Sequence, residues 1–167
     1  MVVPMFRIFI LACLLAFSPG GVAAATHSLP SGNPVVSITI PDGWETETDT
    51  LLIEATSANA DFYISFMLVP MGDFTRAMKQ WEEWLVEAKI TRDEASKTVQ
   101  KFKFEGGDSI VTRWKATDED GPTGLRFTIL KLSEENLLFI THWGSAAAEK
   151  KYANEILAIQ QSVTKLR

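Results

Sequence analysis

Residues 62–89 read FYISFMLVPMGDFTRAMKQWEEWLVEAK, and this stretch decides the fold class. In its first third Phe62, Ile64, Phe66 and Leu68 alternate with Tyr63, Met67 and Val69. A period of two with apolar residues on both faces predicts a central strand covered on both sides. Asp73 is placed to cap the helix that follows, predicted over residues 74–89, where Phe74, Met78, Trp81, Leu85 and Ala88 keep the 4-3-4-3 spacing of one helical face. A strand buried on both sides next to an amphipathic helix requires a layered domain.

Working outward, residues 35–40 form a first strand stopped by Pro41-Asp42-Gly43, and residues 51–56 a second. Beyond the helix, strands are expected over 98–105, 108–117, 124–133 and 137–143, joined by short turns containing Gly, Asp or Asn. Short turns make neighbouring strands antiparallel. Ser145 is a good N-cap for a closing helix to about residue 166, with Tyr152, Ile156, Ile159, Val163 and Leu166 on one stripe. The order βββα-ββββα gives an α+β domain: a mostly antiparallel sheet of about seven strands with two amphipathic helices, arranged as an α/β/α sandwich. A nucleotide-binding parallel α/β fold is excluded on the same ground.

The hairpin around Glu105-Gly106-Gly107-Asp108 is the least determined part of this reading. A two-residue Gly106-Gly107 turn mixes polar and apolar residues on both faces. A three-residue loop, Gly106-Gly107-Asp108, pairs Phe104 with Ile110 and sets Phe102 and Trp114 on one face. The other face then gathers Lys101, Lys103, Arg113 and Lys115, with Arg126 joining from the next strand. On an acidic chain such a stripe is either a solvated sheet face or the contact for an acidic partner.

The chain begins with a charged start at Arg7, an apolar run over residues 8–17 and a small-residue exit at Val22-Ala23-Ala24-Ala25. That order predicts a secretory signal over residues 1–25, cleaved after Ala24 or Ala25. The run of ten is short of the roughly 20 residues that span a bilayer, so no stable membrane anchor is expected after cleavage. A lipoprotein reading at Cys13 would leave only five apolar residues before the cut. Removing residues 1–25 takes away the single cysteine and lowers the formal net charge from −5 to −6, so no disulfide forms. Residues 26–34, THSLPSGNP, are rich in turn formers and read as a mobile leader to one domain over 35–167. The acidic balance argues against general nucleic-acid affinity, and the signal predicts a periplasmic or secreted location.

No catalytic, cofactor or metal motif survives comparison with its chemistry. Gly107-Asp108-Ser109 lies in a hairpin, whereas an esterase nucleophile needs a strand-to-helix elbow and a histidine paired with an acid. His142 is the only later histidine, and it alternates with Ile140 and Leu138 as a structural residue would. His27 and His142 alone do not build a zinc site. Asp118-Glu119-Asp120-Gly121 lacks the remaining ligand positions of a dedicated calcium loop. In Trp81-Glu82-Glu83-Trp84, Trp81 centres the apolar stripe, which favours core packing over an aromatic clamp.

The opening strand with Pro41-X-X-Trp44, the Trp-bearing helix after the third strand, the run of four strands and the closing Ile159-Gln-Gln-Ser-Val163 resemble the Mog/PsbP-like domains, a family with exported bacterial members. The resemblance covers about residues 35–167. It implies an antiparallel sheet between helices and function by docking to a protein partner rather than by catalysis, and it transfers no site residues. The expected function is therefore that of an exported, non-enzymatic accessory domain. A periplasmic carrier of a small apolar or anionic ligand is the alternative, with a small hydrolase behind it.

Overall fold

The computed structural model describes residues 24–104 and 107–166. Eleven strands, β1 (Ala24–Leu29), β2 (Val36–Pro41), β3 (Glu45–Thr48), β4 (Leu52–Thr56), β5 (Phe62–Pro70), β6 (Thr91–Arg92), β7 (Thr98–Phe104), β8 (Gly107–Asp118), β9 (Gly121–Lys131), β10 (Asn136–Gly144) and β11 (Thr164–Lys165), are joined by three helices, α1 (Phe74–Glu87), α2 (Ala146–Lys151) and α3 (Ala153–Gln161). The large sheet runs β3-β4-β5-β10-β9-β8-β6, with β7 also on β8; the small one runs β1-β2-β11. Among the described residues every pairing is antiparallel.

β5 lies inside the large sheet, as its two-sided apolar pattern requires. On one face Phe62, Ile64, Phe66 and Leu68 join Ile38 and Ile40 of β2 and Ile156 and Ile159 of α3 in a buried cluster. On the other, Val69 joins Trp81 and Leu85 of α1 with Phe127 and Phe139 of the sheet. Trp81 stacks on Phe127 with ring centroids 4.2 Å apart, and its Nε1–H donates to Thr141 Oγ1 at 3.1 Å. The molecule is thus a helix, a large sheet, and a third layer of small sheet plus α2 and α3. The expected α+β sandwich is present, with a three-stranded sheet added to its second outer layer.

The residues carrying the family resemblance lie at the joint between these layers. Trp44, three residues beyond Pro41, is buried, meets Tyr152 and Phe62 edge-on, and donates to Glu155 Oε2 at 2.5 Å. Ile159 is fully buried, and Ser162 Oγ accepts from the Thr39 amide at 2.8 Å. Burying an indole beside a carboxylate acceptor satisfies its one donor while removing its rings from water.

Several local expectations are corrected. Residues 26–29 do not form a mobile leader but belong to β1, where His27 opposes Ile38 and Leu29 is buried opposite Val36. The closing helix is two helices broken at Tyr152, whose φ of −98° and ψ of 14° leave the helical region. The second of these, α3, ends at Gln161, so Leu166 leaves the apolar stripe and is exposed, its amide bonding Val35 after the short β11. Ser145 caps α2 as expected, its hydroxyl accepting from Ala148 N–H at 3.1 Å. Asp73 precedes α1 without a side-chain cap and pairs with Arg76 instead. The predicted signal falls almost entirely on residues 1–23, outside the described residues. Among the described residues no helix is long and apolar enough to cross a membrane.

Candidate functional site: the two faces of the β7–β8 hairpin

The register of the β7–β8 hairpin decides where the basic residues go. Phe104 opposes Gly107, Lys103 opposes Asp108, Phe102 opposes Ser109, and Lys101 opposes Ile110. Neither the Gly106-Gly107 turn nor the three-residue loop describes this pairing. Gly107 adopts φ of 141°, and a Cβ there would come within 2.0 Å of the Lys131 carbonyl oxygen, so this strand start admits only glycine.

Residues opposed across an antiparallel ladder share a face. Lys101 and Lys103 therefore share one face with Ile110, Asp108 and Val99, the side on which α1 covers Trp114 and Ala116 further along β8. Arg113 lies on the other face, opposite Arg126 of β9, and Lys115 follows it opposite Gly124. The expected five-residue stripe is thus divided: Lys101 and Lys103 on one side, Arg113, Lys115 and Arg126 on the other. Phe102 and Trp114, expected together, also part, because Phe102 opposes Ser109 on the Arg113 side.

The first face ends in an exposed patch. Val99 is 54% exposed and Ile110 41%, and the ladder sets exposed Lys101 opposite Ile110 and exposed Lys103 opposite Asp108. Among the described residues no carboxylate forms an ion pair with Lys101, Lys103 or Lys115. β7 is an edge strand, and lysines there also blunt edge-to-edge pairing.

The second face carries a cavity of about 310 Å3, partly open to solvent, between the sheet and the end of α3. Val111, Leu130, Ile140 and Val163 give it an apolar wall; Arg113, Arg126, His142 and Gln160 give it a polar end, and Lys103, though on the other face by register, also contributes to its lining. Arg126 pairs with Glu149 of α2, and Arg113 donates to the neutral Gln100 amide oxygen at 2.6 Å. Burial pulls the Arg126 guanidinium below its ordinary value, with the Glu149 carboxylate opposing and Arg113 adding to the fall. His142 is buried opposite Arg126, and burial first, then the charges of Arg126 and Arg113, lower its pKa to about 3. Its imidazole is neutral at physiological pH.

The other singled-out residues have ordinary roles. Ser109 is a buried strand residue whose hydroxyl donates to the Phe102 carbonyl at 3.3 Å. It opposes Leu130 on β9, whereas His142 opposes Arg126, so strand β9 and a displacement along it separate hydroxyl from imidazole. Asp118 Oδ1 accepts from the Asp120 and Gly121 amides and its Oδ2 from Trp143 Nε1–H at 2.9 Å, which closes the β8–β9 turn. Trp84 stacks on Tyr63 at 5.3 Å and meets Trp143 edge-on, so this indole packs against the sheet. The sequence reading missed Gln160 and the cavity role of His142. The alternation of His142 with Ile140 and Leu138 was the one visible signal, and it identified the face without its contents.

No family model matches the chain, and no curated protein sequence matches it. Solved structures do. Cyanobacterial PsbP (CyanoP) from Synechocystis sp. PCC 6803 superposes with a TM-score of 0.57 at 8% identity, covering 88% of this chain and 95% of that one. The Saccharomyces cerevisiae Ran-binding protein Mog1p superposes with a TM-score of 0.50 at 12% identity, covering 87% and 97%. Both alignments run nearly the full length of the compared domain, so this chain has a Mog/PsbP-like fold.

Proposed function

We propose that this protein is an exported, non-enzymatic accessory domain that docks an acidic segment of a protein partner on the outer face of its β7–β8 hairpin. The observation that carries the reading is the patch of Val99 and Ile110 with Lys101 and Lys103, exposed on an edge hairpin of a chain with net charge −5. Apolar side chains there gain by burial, and the lysines select a negative partner and speed its approach. A fold shared with a protein described as Ran-binding supports protein docking as the mode. The Ser109 and Asp118 side chains are committed to local hydrogen bonds, which supports a role other than catalysis. The proposal of export rests on the sequence of residues 1–25.

Site-specific photo-crosslinking in the native cell tests the docking face. A photoreactive residue at Val99 or Ile110 should capture one acidic protein, and one at Val86 of α1 or Leu157 of α3, both exposed elsewhere, should not. Equal capture from all four positions would remove the support for this face.

A further inference from the structure

The cavity on the opposite face of the hairpin contains two buried donors without acceptors. Gln160 Nε2 lies 3.3 Å from His142 Nε2. With the amide assigned so that its N–H donates there, the neutral imidazole carries its proton on Nδ1. His142 Nδ1 and Arg126 Nε are both buried and without a hydrogen-bond partner among the described residues. They belong to residues directly opposed across β10 and β9, and both residues line the cavity. Buried donors in this condition are uncommon because water is lost without replacement.

The charge count at the same end is unbalanced. Arg113 and Arg126 bring two positive charges together across β8 and β9, Lys103 lines the same cavity, Glu149 supplies one negative charge, and Gln100 supplies none. The end of the cavity is therefore positive, which suits an anion. The opposite wall, Val111, Leu130, Ile140 and Val163, suits a hydrocarbon body. At about 30 Å3 for each water-sized volume, a cavity of about 310 Å3 holds roughly ten non-hydrogen atoms.

We propose that this cavity is a binding site for a small amphipathic monocarboxylate. The carboxylate accepts from Arg126 Nε–H and His142 Nδ1–H beside Arg113, and the apolar body lies along Val111, Leu130, Ile140 and Val163. A carboxylate offers two acceptor oxygens to these two donors and supplies negative charge to a positive end. The site lies mainly on the sheet face opposite the patch of Val99, Lys101 and Ile110 and shares Lys103 with it, so octanoate binding and protein docking are read in separate measurements.

The test is calorimetric titration of the purified protein with octanoate, 1-octanol, octylamine and inorganic phosphate, with the ring resonances of His142 followed by NMR. Octanoate is expected to saturate one site and shift the His142 ring signals. 1-Octanol and octylamine, which keep the chain and lose the anion, should bind at least about tenfold more weakly, as should phosphate, which lacks the chain. Arg113→Gln should weaken octanoate about tenfold and leave octanol unchanged. The proposal is overturned if octanoate does not bind, if octanol or phosphate binds as tightly, or if the His142 signals stay still at saturation.

Discussion

Arg113 of β8 and Arg126 of β9 are direct cross-strand partners, two guanidinium groups on one face of the sheet. Like charges directly opposed destabilise a ladder by about 0.2 to 1 kcal/mol. Arg113→Gln is therefore expected to raise the denaturation midpoint of the unliganded protein by that order, with the gain shrinking as salt is added. Chemical denaturation at low and high ionic strength measures it. A stabilising substitution that weakens octanoate binding is the behaviour of a residue kept for a ligand.

Trp81 sits at the centre of the α1 layer, stacked on Phe127 and bonded to Thr141. Trp81→Ala removes both contacts and is expected to destabilise by about 3 to 5 kcal/mol, the range for large aromatic truncations in cores. Urea midpoints close to those of the parent would show that the indole contributes little to the second core cluster.

The helix that holds Trp81 was legible because a 4-3-4-3 stripe on 14 residues has few alternative readings. The seven main strands were legible for the same reason, since each alternates between clear turn signals. β1 was hidden because THSLPSGNP is rich in turn formers, and the pairing that makes its first residues a strand comes from β2, with Leu29 buried by the third layer. The break at Tyr152 has neither glycine nor proline to announce it. The hairpin register was misjudged for a physical reason. Matching Phe104 to Ile110 assumes a buried face, yet Thr98 to Lys103 are all exposed on an edge strand, where apolar matching imposes no constraint. That single displacement separated Lys101 and Lys103 from Arg113 and hid the cavity.

His142 gives a pH prediction. Its folded pKa of about 3 lies below the ordinary value near 6.5 because the ring is buried, faces Arg126 and Arg113, and has the uncharged Phe62 and Gln160 against it. Above pH 6.5 the ring is neutral folded or unfolded and contributes no slope. As pH falls from 6.5 toward 3, the unfolded chain takes up a proton that the folded chain refuses, so stability falls, by up to about 1.4 kcal/mol per pH unit. His142→Leu should lose this component of the slope between pH 6.5 and 4, and the His142 ring signals of the parent should not titrate between pH 8 and 4.5. A ring that titrates near 6.5 would contradict its burial.

Export predicts a specific mature end. Cleavage after Ala24 or Ala25 leaves Thr26 to Leu29 to pair with Val36 to Thr39, so removal of the signal preserves most of β1. Intact-mass measurement of exported protein should show loss of residues 1–24 or 1–25. Retention of residues 1–25, or a cut beyond Leu29, would contradict this reading.

The central claim is that Lys101, Lys103, Val99 and Ile110 receive an acidic partner. The most direct measurement is the affinity of the crosslinked partner for the parent and for a Lys101→Glu, Lys103→Glu double variant, at low and moderate salt, with melting compared for both. Both side chains are exposed, so the variant should melt as the parent does. Two exposed charges reversed against an acidic surface should weaken binding by about tenfold or more at low salt, with a smaller loss at moderate salt where the attraction is screened. Unchanged affinity and unchanged salt dependence in a variant that melts normally would contradict the claim.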